Sequence, residues 1–205
     1  GRDLQGGGTW MGVTLQGRFA ALTNVRDPSM PAAARSRGEL AAAYLRGDVS
    51  AATFAQQVQR DRKQYGGFNL LLADAEQLWC VGSHQPEPVA VSPGWHGLSN
   101  ATLNTPWPKL QRLLAGAQTL SAQQVAASRS HLELLADTTP AADSALPETG
   151  VGVLMERLLS PICIRTPAYG TRNSTWLRLT REEILWHEQD YNEGVQREFQ
   201  RARLS

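Results

Sequence analysis

A chain of 205 residues that is 41% hydrophobic can bury a core of its own, and one domain over residues 1–205 is the better prior over two small ones. Twenty Lys and Arg against nineteen Asp and Glu leave a net charge of +1, which gives no basic stripe for nucleic acid and no polybasic membrane patch. No run approaches the roughly 18 apolar residues that cross a bilayer, so no integral membrane segment is expected. No secretory leader is recognisable, and Cys80 and Cys163 stand far apart outside any Cys-x-x-Cys pair. A reducing, cytoplasmic location is therefore the expectation.

Thr9-Trp-Met-Gly-Val-Thr14 and Arg18-Phe-Ala-Ala-Leu-Thr23 flank Gln16-Gly17 and predict a β-hairpin. Gly6-Gly7-Gly8 ahead of it lacks the Lys-Ser/Thr ending of a phosphate loop and the spacing of a dinucleotide fingerprint, so it reads as a tight turn. Ser36 with Glu39 predicts a capping box opening a helix through Leu40, Tyr44 and Leu45 that stops near Gly47. Ser50 caps a second helix through Phe54 and Val58. The period then changes. Residues 68–73 and 77–82 flank Asp74-Ala-Glu76 as a second hairpin, and 89–91 and 95–98 predict shorter strands split by Ser92-Pro-Gly94.

Leu110, Leu113 and Leu114 lie at helical spacing, and Ser121-Ala-Gln-Gln124 is a capping box leading one helix through Val125, Leu132 and Leu135. Residues 138–150 read as an exposed loop and 151–159 as a short helix. Residues 175–180 and 183–188 form a last hairpin about Thr180-Arg-Glu182, with 195–199 as an edge strand. Strands, helices, strands, helices, strands in that order predict an α+β layered domain of antiparallel sheets with segregated helices.

The four histidines, His84, His96, His131 and His187, fall in no metal-binding spacing, so no metal is expected. There is no Gly-x-Ser-x-Gly elbow for a Ser-His-Asp site. Six tryptophans lie in or beside predicted strands and turns. Core packing explains each singly, yet Trp10, Trp95 and Trp107 are the candidates for an aromatic wall against an apolar or acyl ligand.

Asn24 and Asn100 stand where a strand ends and the chain turns, the second within Gly97-Leu-Ser-Asn-Ala-Thr-Leu-Asn-Thr-Pro-Trp-Pro108. An amide there usually satisfies free backbone groups. It also donates N–H without carrying charge and can hold a developing oxyanion, an effect worth about 3 kcal/mol per donor in a protease. Arg172, just ahead of a strand, supplies a fixed cation or else a surface ion pair. Asn100-Ala-Thr102 and Asn173-Ser-Thr175 match the glycosylation pattern and read as chance matches.

Several stretches together resemble the NRDE family, also called the transport-and-Golgi-organisation type 2 family. They are Gly1-Arg-Asp-Leu with Gly7-Gly-Thr-Trp-Met-Gly-Val13, Gly17-Arg-Phe-Ala-Ala-Leu-Thr-Asn-Val-Arg-Asp-Pro28, Ser36-Arg-Gly-Glu-Leu40, His96-Gly-Leu-Ser-Asn-Ala-Thr102 with Thr105-Pro-Trp-Pro-Lys109, and Tyr169-Gly-Thr-Arg-Asn-Ser-Thr175. The likeness covers nearly all of the chain, in the family's order. It implies a four-layer αββα sandwich like that of the N-terminal-nucleophile (Ntn) hydrolases. The family's Asn-Arg-Asp-Glu motif and the cysteine before it are not in this sequence, and Arg2-Asp3 does not stand in for them. A member lacking its first strands is the expectation.

By similarity to the choloylglycine hydrolase and penicillin V acylase branch, the resemblance gives Asn24 and Asn100 to an oxyanion hole and Arg172 to the side of the nucleophile. An N-terminal Cys thiolate would then attack an amide or ester carbonyl, with its own α-amino group as proton shuttle. The alternative is a non-catalytic carrier of a hydrophobic or acyl ligand, with no cofactor required and haem admitted as cargo, as the family's links to haem trafficking and acyl-lipid handling imply. The sequence leaves the oligomeric state open.

Overall fold

Residues 68–73, Phe-Asn-Leu-Leu-Leu-Ala, decide the first half of the fold, because their even positions are buried to the last atom. Phe68, Leu70 and Leu72 each have no exposed surface. The computed structural model describes residues 3–4, 7–29 and 33–204; Gly1, Arg2 and Gly6 of the motifs above lie outside the described residues. The chain divides into two compact units, residues 1–105 with 203–205, and residues 106–202.

The first unit holds β1 (Met11–Val13), β2 (Phe19–Asn24), α1 (Gly38–Arg46), α2 (Ala51–Asp61), β3 (Phe68–Ala73), β4 (Leu78–Gly82) and β5 (Val89–Ala90). The strands form one antiparallel sheet in sequence order. Side chains alternate across a strand, so Ala20, Leu22, Phe68, Leu70, Leu72 and Val81 share one face. The helices cover it with Leu40, Tyr44, Ala51, Ala55 and Val58. Tyr44 is fully buried, and its hydroxyl donates to the Ala73 carbonyl at 2.9 Å. The Arg18 guanidinium stacks 4.0 Å over that ring and donates to the Tyr44 and Val49 carbonyls, so the polar groups this packing buries stay paired.

Asp74 closes the β3–β4 hairpin. One oxygen accepts the Glu76 and Gln77 amides, and the other accepts the Ala51 amide at the start of α2. The glycine run is a close approach rather than a phosphate cradle, since a Cβ on Gly8 would sit 2.3 Å from the Gly38 backbone.

The second unit holds α3 (Pro108–Gln118), α4 (Ala122–Val125), α5 (Ser128–Leu135), α6 (Val153–Leu159), β6 (Asn173–Leu179), β7 (Glu183–Asp190) and β8 (Gln196–Ala202). Its three strands form an antiparallel sheet in the order β6-β7-β8. α5 lies on β6, with the His131 ring stacked 6.1 Å from Trp176 and the Ser128 hydroxyl 2.6 Å from His187 Nδ1. Antiparallel sheets with separate helices make the chain α+β. No helix among the described residues is long and apolar enough to cross a membrane.

Three local expectations need correcting. The Ser36 capping box does not form; α1 starts at Gly38, and Glu39 instead accepts the Tyr65 hydroxyl and pairs with Arg35. The Ser121 box does form, but its helix stops at Val125 and restarts at Ser128. Residues 95–98 form no strand. Gly94 turns at φ +138°, and side chains rather than a neighbouring strand hold the segment that follows.

Leu70→Ala is expected to cost about 2–5 kcal/mol in urea unfolding, the range for emptying a packed site. The exposed Leu15→Ala should change it by no more than about 0.5 kcal/mol. Equal effects would mean that the even face of β3 is not the core.

Candidate functional site

At one end of the first sheet, Thr23 pairs with Asn69, Asn24 with Phe68, and Asn69 with Gly82. Asn69 is 1% exposed and points away from the helices, on the face it shares with Leu71. Gly82 makes the space: a Cβ there would lie 2.5 Å from Asn69 Oδ1 and 2.9 Å from the Phe68 carbonyl. Asn69 Nδ2 donates to the carbonyls of Ala101 at 2.7 Å and Ser99 at 3.3 Å. Asn100 sits between those two carbonyls.

Its Oδ1 accepts the Arg26 amide at 2.6 Å, and its Nδ2 reaches back to the Arg26 carbonyl at 3.4 Å. That pairing fixes which way the amide points. Because a primary amide carries two N–H donors, one remains unspent among the described residues. Downstream, Asn104 adopts φ +63°, a region asparagine tolerates. Its Oδ1 accepts the Gly97 amide at 3.0 Å and its Nδ2 lies 2.9 Å from His96 Nδ1. The loop from 97 to 105 is thus shaped by three asparagine side chains.

Asn24, the last residue of β2, is exposed, and among the described residues none hydrogen-bonds its side chain. By register it shares the helix-facing side with Leu22, whereas Asn69 reaches the Asn100 loop from the other side. The structure therefore brings Asn100 against the segment just after Asn24. Arg26, in that segment, keeps its Nε–H shielded from solvent without an acceptor among the described residues.

A hydrogen-bond chain that no motif announces ties the same corner together. Asp27 Oδ2 lies 2.8 Å from His84 Nε2, and His84 Nδ1 lies 3.1 Å from the Ser83 hydroxyl. An ionised Asp27 holds the proton on Nε2 and leaves Nδ1 to accept from serine. Ser83 Oγ also accepts the Phe68 amide at 3.1 Å, so the chain anchors the 24–27 segment to the end of β4. The Ser29 hydroxyl first, then the His84 imidazole, hold the Asp27 pKa down to about 2 from an ordinary 3.8.

Trp10 and Trp95, in the first unit, are 42% and 45% exposed. Trp107 and Arg172 belong to the second unit. Trp107 precedes α3, and its Nε1–H is shielded without an acceptor among the described residues. Arg172 lines a cavity of 560 Å³ beside residues 164–171. A separate cavity of 710 Å³ is lined by Ser128, Arg129, His187, Glu188, Arg197 and Glu198 among others. Most of its charges are paired, Arg129 with Glu133 at 2.9 Å, Arg197 with Glu188 at 3.7 Å and His187 with Glu198 at 3.2 Å, and Arg165 lines it as well.

Both cysteines are free and fully buried, and burial pushes the Cys80 thiol up to about 11. Neither is placed to serve as a nucleophile. Among the described residues, no group of three or more His, Cys, Asp or Glu is gathered that could hold a metal ion.

A sequence profile of the Transport and Golgi organisation 2 family matches residues 1–193. The chain belongs to that family. The Transport and Golgi organization protein 2 homologs of Homo sapiens and Bos taurus are 34% identical to it over 185 and 186 residues. The Mus musculus Transport and Golgi organization 2 homolog is 31% identical over 185. Each match covers 82% of this chain and 66% of the relative, so the chain spans just under two thirds of the length of these Transport and Golgi organization proteins.

Asn69→Ala should destabilise the protein by about 1–3 kcal/mol in chemical denaturation, because it strips two loop carbonyls of their donor. A loss no larger than that of an exposed-site alanine would contradict the tie. Asp27 has a depressed folded pKa, so its stabilisation is present above pH 3.8 and is lost as pH falls toward about 2. Asp27→Asn is expected to flatten the acid limb of the stability profile across that window; an unchanged limb would mean the His84 contact is idle.

Proposed function

We propose that the chain is an Ntn-type acyl hydrolase, in which Asn100 donates its unspent amide N–H to the carbonyl oxygen of an amide or ester. The observation that carries this reading is the locked orientation of Asn100. A donor held still before substrate arrives needs no reorganisation when negative charge develops on the oxygen, which is why such donors accelerate acyl transfer. The resemblance gives Asn24 as the second donor; its exposed side chain, unbonded among the described residues, would have to turn from the helix-facing side of β2 to reach the same carbonyl. The nucleophile in this reading is the N-terminal cysteine that the family resemblance implies, because the buried Cys80 and Cys163 are unsuited to it.

Arg172 keeps the role that the resemblance assigns to it, stabilising the thiolate. Family membership supports this assignment, as does the pairing of one antiparallel sheet with helices in each unit, which is what the two halves of an αββα sandwich require. Two unpaired, buried cysteines accord with a reducing, cytoplasmic setting.

A second reading, carriage of a hydrophobic or acyl ligand without chemistry, draws on the exposed indoles of Trp10 and Trp95. Haem cargo would need an axial imidazole. His84 and His96 use both ring nitrogens, whereas His131 and His187 each keep one free of a hydrogen bond.

Asn100→Asp separates the two readings, since it keeps an oxygen for the Arg26 amide and removes both N–H donors. In a form of the protein that carries such an N-terminal cysteine, hydrolysis of an acyl ester should fall by about 10²–10³ in kcat, the usual cost of an oxyanion donor. Saturable ligand binding with no product, unchanged in Asn100→Asp, would overturn the hydrolase in favour of the carrier.

A further inference from the structure

Residues 164–171 form a tight two-stranded ribbon. Thr171 N–H donates to the Ile164 carbonyl at 2.8 Å, Thr166 N–H to the Tyr169 carbonyl at 3.0 Å, and Arg165 bridges Gly170. Side chains alternate across such a ribbon, so Arg172 falls on the face that carries Arg165, as its diagonal neighbour roughly 7–8 Å away. Gly170, directly opposite Arg165, adds no side chain between them. Both arginines line the 560 Å³ cavity, and no acidic residue is among those that line it.

Among the described residues neither arginine has an acidic partner. The acids nearest along β7 are already engaged: Asp190 accepts the Asn192 and Glu193 amides and pairs with Arg197, which also meets Glu188. Arg165 and Tyr191 also line the neighbouring 710 Å³ cavity, whose carboxylates Glu133, Glu188 and Glu198 already meet Arg129, Arg197 and His187.

Arg165 is also held ready. Its guanidinium lies 4.7 Å over the Tyr191 ring. That ring is fixed by its hydroxyl on Ser174 Oγ at 3.1 Å and by its amide on the Arg172 carbonyl at 2.8 Å. Stacking occupies the flat face of a guanidinium and leaves its edge N–H groups for a planar, bidentate acceptor.

We propose that this ribbon is a binding site for a small molecule bearing a carboxylate or phosphoryl group, gripped by Arg165 and Arg172. The site shares Arg172 with the proposed acyl hydrolase, but its test reads binding without turnover and includes Arg165, so the two readings fail separately. Phenyl phosphate, benzoate and inorganic phosphate, titrated separately at low salt, should shift backbone amide resonances of residues 164–172 and 191–192 saturably. A tighter fit for phenyl phosphate or benzoate than for inorganic phosphate identifies an organic ligand; inorganic phosphate binding equally well overturns the assignment to an organic molecule.

Arg165→Gln and Arg172→Gln should each weaken binding about tenfold, as loss of a charge-assisted pair does. Arg165→Lys keeps the charge but not the fork and should restore only part of the affinity. Arg129→Gln, on α5, should leave it unchanged. Non-saturating shifts, shifts spread over other arginines, or an Arg165→Gln affinity equal to the parent's would overturn the site.

Discussion

The loop that carries Asn100 has no strand or helix to hold it, so its shape depends on one buried amide. Asn69 lies inside a strand whose other interior residues are apolar, and a buried polar group without partners is costly. It meets that cost by donating to two loop carbonyls, and it can do so only because Gly82 opposite it has no side chain. The sheet register thereby positions a segment that follows β4 by more than fifteen residues. Asn100 then takes its orientation from Arg26, one ladder step past the end of β2.

Polar side chains do in this loop what a hydrophobic loop core does elsewhere. Asn69, Asn100 and Asn104 each bind backbone atoms, and Thr102 and Thr105 meet through their hydroxyls at 3.0 Å. A loop built this way keeps unspent neutral donors near its surface. The second unit presents the opposite chemistry, two cations on one ribbon face that have no acidic partner among the described residues, one of them lining the same cavity as Arg197 and Glu188. Neutral donors suit charge that develops and vanishes during a reaction, whereas fixed cations suit a group that is charged throughout.

Period and turn chemistry make much of the fold legible. Residues 68–73 appear as β3 with the bounds their apolar run suggests, and Asp74 closes the hairpin as an aspartate at a turn should. The Ser121 box forms because nothing distant competes for Gln124, while Glu39 is taken by Tyr65 and Arg35 from elsewhere in the fold. Residues 95–98 resemble a strand by composition but find no edge to pair with. Asn100 is legible as a polar residue where the chain turns. Asn69 is not, since an asparagine in an apolar run gains meaning only from its register with Gly82. The Asp27–His84 contact spans 57 positions, beyond the reach of any local pattern.

Amide hydrogen exchange at Arg26 tests the central constraint most directly, because that N–H lies beyond the ladder and is held only by Asn100. The account predicts protection close to that of the Leu22 amide in β2, lost in Asn69→Ala while the Leu70 amide stays protected. An Arg26 amide that exchanges as fast as an open loop in the parent protein would contradict it.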